Sequence, residues 1–531
     1  MRRARCIAFL AAGLGLGAGS SCSLIVDLPE CVSDLDCTNA QDLELVCRDH
    51  ECVAPTPPSS VDCSADSDCF AVFDQSVVCG SAGVCAPLET EHCALRVRPE
   101  GVMPDQIVYL GSILPHTGTY ASMGIPLENA MQLAIEDFDG TTTLPGGKRV
   151  GWVACDSRGR ASDAAAAAEE LAAAGIQAIV GPALSEETVG VANVTAPAGV
   201  FLISPTASAR LLGQLVDLDL VWRTAGNDAV QAAGIADRIA ALDPPPERVV
   251  ALVKNDRYGQ GLLEDLAPRL QGVLPANGLG TLLYSPIDTF PDSQSLLSEY
   301  GARVADTFEL DPDVIVVLGS VEARELILFY LDAWSSADPR PPLPTFMLSS
   351  EGVSVAETIV EGVSEGFRTT LMARMEGIAH TNRDPDDYGP FAIRYEIRFP
   401  DSEAGLDAGL AYDATMVTLL ALSSLSGGEG TGSQIAEAMA RLSNESGTQV
   451  SFGEGLSFIT TVQQTLAAGG DVDLHGVSGE LDFDLESGDL RRELTGFDLE
   501  PIAGTTEPRL TARRRYELDP APAVTGTWVD L

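Results

Sequence analysis

Two sets of residues in this 531-residue chain have types and spacings that could do chemistry: cysteines in a repeated pattern, and serines placed where helices begin. Of the 12 cysteines, eight form an internal repeat. Cys31, Cys37, Cys47 and Cys52 are spaced C-x5-C-x9-C-x4-C, and Cys63, Cys69, Cys79 and Cys85 are spaced C-x5-C-x9-C-x5-C. A unit of about 22 residues cannot bury a useful core, so cross-links must hold it. Disulfides within each copy are expected; four cysteines allow three connectivities, and the sequence does not choose among them. Zinc is the alternative, although C-x5-C is wider than the usual ligand spacing. Ser185 and Ser208 each follow a short apolar run of strand type, Ile176 to Val180 and Val200 to Ile203. A hydroxyl beside the free N–H groups of a helix start is a ready anion site, placed beyond the carboxyl ends of strands where open α/β sheets bind ligands. Two such sites suit a carboxylate; plain N-caps are the other reading.

Other chemistries are not supported. The five histidines are scattered, and there is no G-x-S-x-G, H-E-x-x-H or P-loop pattern. Neither serine has a nearby histidine to act as base. No catalysis, cofactor or metal is expected. The acidic FDLESGD run around Asp484 lacks the order of a calcium loop and reads as a hairpin turn. A formal charge of −45 repels nucleic acid and anionic membrane surfaces.

The first 22 residues point to export. Arg2, Arg3 and Arg5 precede a short apolar stretch, Ile7 to Gly19, too short for a membrane span. Gly19, Ser20 and Ser21 before Cys22 resemble a bacterial lipobox, with Gly19 where leucine is usual; ordinary cleavage near Ser20 is the alternative. Setting aside Cys6 in the signal and a lipidated Cys22 leaves ten cysteines, an even number suited to disulfides in an oxidising compartment. The Pro-rich link Ala54 to Pro58 separates the two four-cysteine copies.

From about Asp105 the pattern changes to alternating strands and helices. Ile107 to Leu114, Arg149 to Ala154, Val249 to Val253, Val314 to Leu318 and Pro344 to Leu348 read as buried strands, and Leu127, Met131, Ala134 and Phe138 recur at helical spacing. This alternation predicts an α/β fold of parallel sheets covered by helices, in two lobes.

The segment IVYLGSILPHTGTYASMGIPLENAMQLAIEDFD, from Ile107 to Asp139, resembles the first strand, ligand loop and helix of the periplasmic leucine/isoleucine/valine-type solute-binding proteins. IQAIVGPALSEETVGVANVTAPAGVFLISPTASA, VWRTAGNDAVQAAGIADRIA, VKNDRYGQGL, MLSSEGV, AYDATMVTLLAL and SGELDFDLESGD resemble later landmarks of that family, in the same order. The resemblance implies a type I periplasmic-binding fold of two Rossmann-like lobes joined by a hinge. With the signal peptide at 1–21 and the Cys-rich arm at 22–104 read above, it implies a first lobe from 105–227 and 376–485 and a second lobe from 228–375, with 486–531 returning to the second lobe and ending in a C-terminal tail.

Carried over by residue, the resemblance implies that Ser185 and Ser208 bind a ligand carboxylate and that the Thr206 backbone helps hold an amino acid. Glu351 would pair with the ligand ammonium, and Asp228 and Tyr258 would close over it from the second lobe. Asp228 also suits a helix cap, and Tyr258 plain packing. Met123 and Val321 stand where such proteins often carry aromatic residues, and Tyr120 could refill part of that space. Cys93 and Cys155, left over by parity, would join the arm to the first lobe. The expected function is capture of an amino acid or related carboxylate or amide for an ABC-type permease. The protein would be an exported lipoprotein of the bacterial envelope, held to the membrane only by lipid on Cys22. A sensor or surface docking protein of the same fold is the alternative.

Overall fold

The computed structural model describes residues 46–48, 51–53, 59, 61–73, 76–381 and 386–531. The signal segment, Cys22, Cys31 and Cys37 lie outside the described residues, as do the side chains of Cys47 and Cys52. Two compact units divide the chain at Val61/Asp62. In the first, Val46–Arg48 pairs antiparallel with Glu51–Val53, with Cys47 opposite Cys52 in register.

The second unit, Asp62–Leu531, contains two α/β lobes. The first lobe is built on a six-stranded sheet in the order Val221–Arg223, Phe201–Ser204, Ala178–Val180, Ile107–Leu114, Arg149–Asp156, Cys93–Val97. The first five run parallel, and Cys93–Val97 adds an antiparallel edge. The second lobe has eight strands. Leu279–Tyr284, Val249–Lys254, Val314–Leu318, Thr345–Leu348 and Met375–Ala379 are parallel; Leu494–Pro501, Pro508–Leu518 and Gly526–Asp530 continue antiparallel. Val314–Leu318 is buried throughout, as a central parallel strand covered on both faces must be. The helix Ala408–Ser424 is apolar nearly all round because it is enclosed on every side within the first lobe, packed on the helix Ala121–Thr141.

Three chain segments cross between the lobes: after Arg223, after Ala379 and before Leu494. They pack too closely for a side chain at Gly226. A Cβ there would lie 2.6 Å from His380 Nδ1 and 3.1 Å from Arg492 Cβ. Arg492 Nε donates to Thr224 O at 2.9 Å, and Gly226 bridges to Leu490. Buried Arg223 donates to Asp489 Oδ1 at 2.7 Å and to Ala209 O at 2.8 Å. The turn around Asp484 closes through Asp484 Oδ1, which accepts from the Glu486 and Ser487 N–H groups, both at 3.0 Å.

The second four-cysteine copy belongs to the lobe-bearing unit, not to a separate arm with the first copy. Its disulfides are Cys63–Cys79 and Cys69–Cys85, so zinc has no free thiol there. Val78 and Leu88 pack with Ile113, Val153 and Leu171 in one apolar cluster, and Ser81 N donates to Ala173 O at 3.0 Å. Cys93–Cys155 joins paired residues of the edge strand and its neighbour, as parity suggested. This bond closes a long loop, with a sequence separation of 62. A Cys93→Ala/Cys155→Ala variant is expected to lose about 2–4 kcal/mol of stability. Urea denaturation checks it; an unchanged midpoint would show that strand pairing alone holds this edge.

Candidate functional site

In the first lobe, two strand ends face the cleft. The strand Ala178–Val180 leads through Gly181 and Pro182 to the helix Ser185–Ala198, and Phe201–Ser204 leads to the segment containing Thr206 and Ser208. Side chains lock these loops together. Ser204 Oγ donates to Pro182 O, and Thr206 Oγ1 to Ala183 O, both at 2.6 Å. The Thr206 hydroxyl proton is therefore committed within the protein. Ser185, buried at the first helical position, accepts from Ala209 N at 3.2 Å and keeps its own proton to donate. Ser208 is fully buried, and its Oγ has no partner among the described residues.

The second lobe supplies the opposite pole. Asp228 opens the helix Asp228–Ala240, but the cap is Asn227, which accepts from Ala229 N at 2.9 Å. The Asp228 N–H donates to Ser208 O at 3.0 Å and so joins the two poles. Gln231, one helical turn on, organises the rest. Its Nε2 donates to Asp228 Oδ1 at 3.1 Å and Ser350 Oγ at 3.2 Å, and lies 3.0 Å from His380 Nε2. Its Oε1 accepts from Ser350 N at 2.9 Å and from the Tyr258 hydroxyl at 3.3 Å. Glu351 follows Ser350 in the short helix Ser350–Val353. It is 5% exposed, and among the described residues both carboxylate oxygens lack partners, as does Asp228 Oδ2. Burial pushes the Glu351 carboxyl well above its usual range, more than nearby Lys254 can offset, with Asp256 and Asp228 adding to the rise.

Lys254, Glu322, Gln231, Ser350 and His380 were missed by the sequence reading. The Lys254 ammonium donates to Ser320 Oγ at 2.8 Å and lies 3.1 Å from Asp256 Oδ2 and 3.5 Å from Glu322 Oε1. Burial works against its charge, but the facing Glu322 and Asp256 hold its pKa above the usual lysine value. Tyr120 crosses from the first lobe, with its ring 4.8 Å from Lys254 Nζ and its hydroxyl donating to Glu322 Oε1 at 2.7 Å. A lysine ending the apolar run VVALVK was the available signal, since a buried ammonium needs an acidic partner. Gln231 could have been found from its i+3 spacing to Asp228. His380, at an inter-lobe crossing, gave no pattern.

At the cleft mouth, a cavity of 430 Å³ lies between Glu186 and Arg210 on one side and Asn255, Asp256, Arg257 and Gln260 on the other. Arg257–Glu186 at 3.1 Å and Arg210–Asp265 at 3.0 Å span it. These partly exposed pairs contribute about 0–1 kcal/mol each.

The chain belongs to the periplasmic binding protein family, whose model matches residues 107–458. It is 31% identical over 172 residues to the Leu/Ile/Val-binding protein BraC3 of Rhizobium johnstonii, covering 32% of this chain and 45% of that one. It is 29% identical over 226 residues to the chemotactic signal transduction system substrate-binding protein BasB of Halobacterium salinarum, covering 40% of this chain and 50% of that one. These matches therefore span about half of each relative's length. In fold, it is similar to the leucine binding protein LivK from Thermotoga maritima (TM-score 0.58, 19% identity, covering 76% of this chain and 98% of that one). It is likewise similar to a solute binding protein of an ABC transporter from Rhodopseudomonas palustris in complex with 3,4-dihydroxybenzoic acid (TM-score 0.58, 16% identity, covering 79% and 100%). The expected two-lobed type I fold is thus present.

Burial that raises the Glu351 carboxyl has a consequence if this residue pairs with a ligand ammonium: it would have to ionise to do so, binding would release a proton, and affinity would rise with pH up to the pKa of the free protein. Calorimetry in buffers of different ionisation enthalpy should show this release, and Glu351→Gln should remove it. Proton uptake by the unsubstituted protein would contradict the assignment.

Proposed function

We propose that this chain is the extracytoplasmic solute-binding component of an ABC-type uptake system and that its solute is an α-amino acid or close analogue. The observation that carries this is the pairing of opposite poles in one cleft. Ser208 Oγ and the helix start at Ser185 face an anion, while the partnerless Glu351 and Asp228 oxygens call for a cation. A simple aromatic acid would fill only the first pole and leave the buried Glu351 unpaired, which disfavours it. Closure of Asp228, Tyr258 and the Tyr120–Glu322 contact around the solute would present a shape that a permease can read. Sensing is the second reading, favoured by similarity to a relative named for chemotactic signal transduction.

Calorimetric titration with amino acids, amides and benzoates is expected to give binding by an amino acid, weakened by about 2–5 kcal/mol in Glu351→Ala. Binding of benzoates alone would overturn the assignment.

The reading includes export and a lipid anchor at Cys22, with the disulfides formed outside the cytoplasm. Mass analysis of membrane-extracted protein should find an acylated terminus at Cys22, and Cys22→Ala should release the protein from the membrane. An unlipidated terminus at Ser21 in the unsubstituted protein would remove the anchor from this account.

A further inference from the structure

Beside the two poles, a second set of contacts bridges the lobes, and both partners in each are groups of the chain itself. Tyr120 stands between the strand Ile107–Leu114 and the helix Ala121–Thr141 of the first lobe and is buried. Its ring is seated against Gly159, at φ 76°, where a Cβ would strike it. The Tyr120 hydroxyl crosses to the second lobe and donates to Glu322 Oε1 at 2.7 Å, while the ring lies 4.8 Å from Lys254 Nζ. Glu322 is fully buried; its Oε1 also accepts from Ile287 N at 3.3 Å, and its Oε2 from Ser320 Oγ at 2.9 Å. Ile287 and Val321 follow the second-lobe strands Leu279–Tyr284 and Val314–Leu318 and pack against the first lobe's apolar core. At the mouth, Glu186 and Arg210 of the first lobe pair with Arg257 and Asp265 of the second.

These bridges are unequal. The mouth pairs are partly exposed and screened by salt, so they add little. The Tyr120–Glu322 bond is out of water and has a charged acceptor. Burial opposes the charge on Glu322, but facing Lys254 and the Tyr120 hydroxyl hold its carboxyl below the usual range. One hydrogen bond to a buried charged group shifts an equilibrium by about tenfold or more. Each partner is already in the chain, so the contact does not wait on a solute.

We propose that Tyr120, Glu322 and Lys254 form a latch that holds the lobes together before the solute arrives, so that capture is gated by opening of the latch. Ser185, Ser208 and Glu351 are all buried, and a solute reaches them only when the lobes part. The apparent affinity of any solute is then lowered in proportion to the open fraction. The latch concerns lobe position, and it stands whichever small molecule the poles accept.

Lysine chemistry reads it directly. The chain has two lysines. The Lys254 side chain is 2% exposed and is covered from the first lobe by Tyr120. Lys148, 16% exposed, precedes the strand Arg149–Asp156 at the sheet end away from the cleft. The purified full chain, freed of copurified small molecules as checked by native mass spectrometry, is treated with an N-hydroxysuccinimidyl acetate. Peptide mass analysis then gives the acetylation rate of each lysine, and small-angle scattering gives the radius of gyration. Lys254 should react at least about tenfold more slowly than Lys148. Tyr120→Phe, which keeps the ring and removes the hydroxyl, should raise the Lys254:Lys148 rate ratio about tenfold and increase the radius of gyration. Amide exchange in the buried strand Val314–Leu318 should stay as slow as in the unsubstituted protein, which separates unlatching from unfolding. Lys254 reacting as fast as Lys148 in the unsubstituted protein would overturn the latch, as would an unchanged ratio in Tyr120→Phe. A raised ratio at constant radius would reduce the contact to local cover and overturn the gating. A raised ratio with faster exchange in that strand would assign Tyr120 to folding and overturn it equally.

Discussion

The cleft depends on a carboxylate that the protein does not neutralise. Glu351 is buried with both oxygens partnerless, a costly arrangement in a folded chain. Its backbone neighbour Ser350 is tied to Gln231, and Gln231 to Asp228, Tyr258 and His380. Two carboxylates are therefore held near one another by a neutral amide, which supplies hydrogen bonds but no charge. Desolvation would be relieved by protonation while the site is open and by a cation once it is filled. Under the proposed function, Glu351 would be both a source of binding energy and the source of its pH dependence.

Holding those groups requires a hinge that does not blur their positions. Gly226, His380 and Arg492 lie where the three crossing segments meet, and the Gly226 position leaves no room for a Cβ. Asp228 begins its helix two residues after that glycine and donates to Ser208 O in the first lobe. The carboxylate pole and the cation pole are consequently joined by backbone at the hinge itself. Rotation of the lobes can open the cleft while these two residues remain neighbours, as in hinge closure generally.

Much of this was legible in sequence. Apolar runs such as VIVVL marked central parallel strands because burial on both faces removes any need for alternation. Ser185 was visible because it opens a helix after a strand, whereas Ser208 sits in the loop before the short 3-10 turn Arg210–Gln214 and opens no helix, contrary to the expectation. The limits of the Cys-rich region were less visible. The repeat suggested one arm, yet the second copy buries Val78 and Leu88 against the first lobe, a docking that spacing cannot encode. His380 was hidden for a related reason: it sits where chain segments from both lobes meet, and local periodicity carries no record of such a meeting.

The departures at Met123 and Val321 acquire a physical sense in the structure. Val321 packs at the margin of the first lobe's core, and Tyr120 supplies an aromatic ring, set over Lys254. At this position, contact between the lobes includes a hydroxyl-to-carboxylate bond and a cation–π contact as well as aromatic packing. Apolar packing tolerates small shifts in the angle between lobes, because its strength follows the area covered. A hydrogen bond from Tyr120 to Glu322 weakens steeply when misaligned. The Tyr120–Glu322 bond is thus the more orientation-dependent kind of contact between the lobes, and the Lys254–Glu322 pair beside it lies near Glu351.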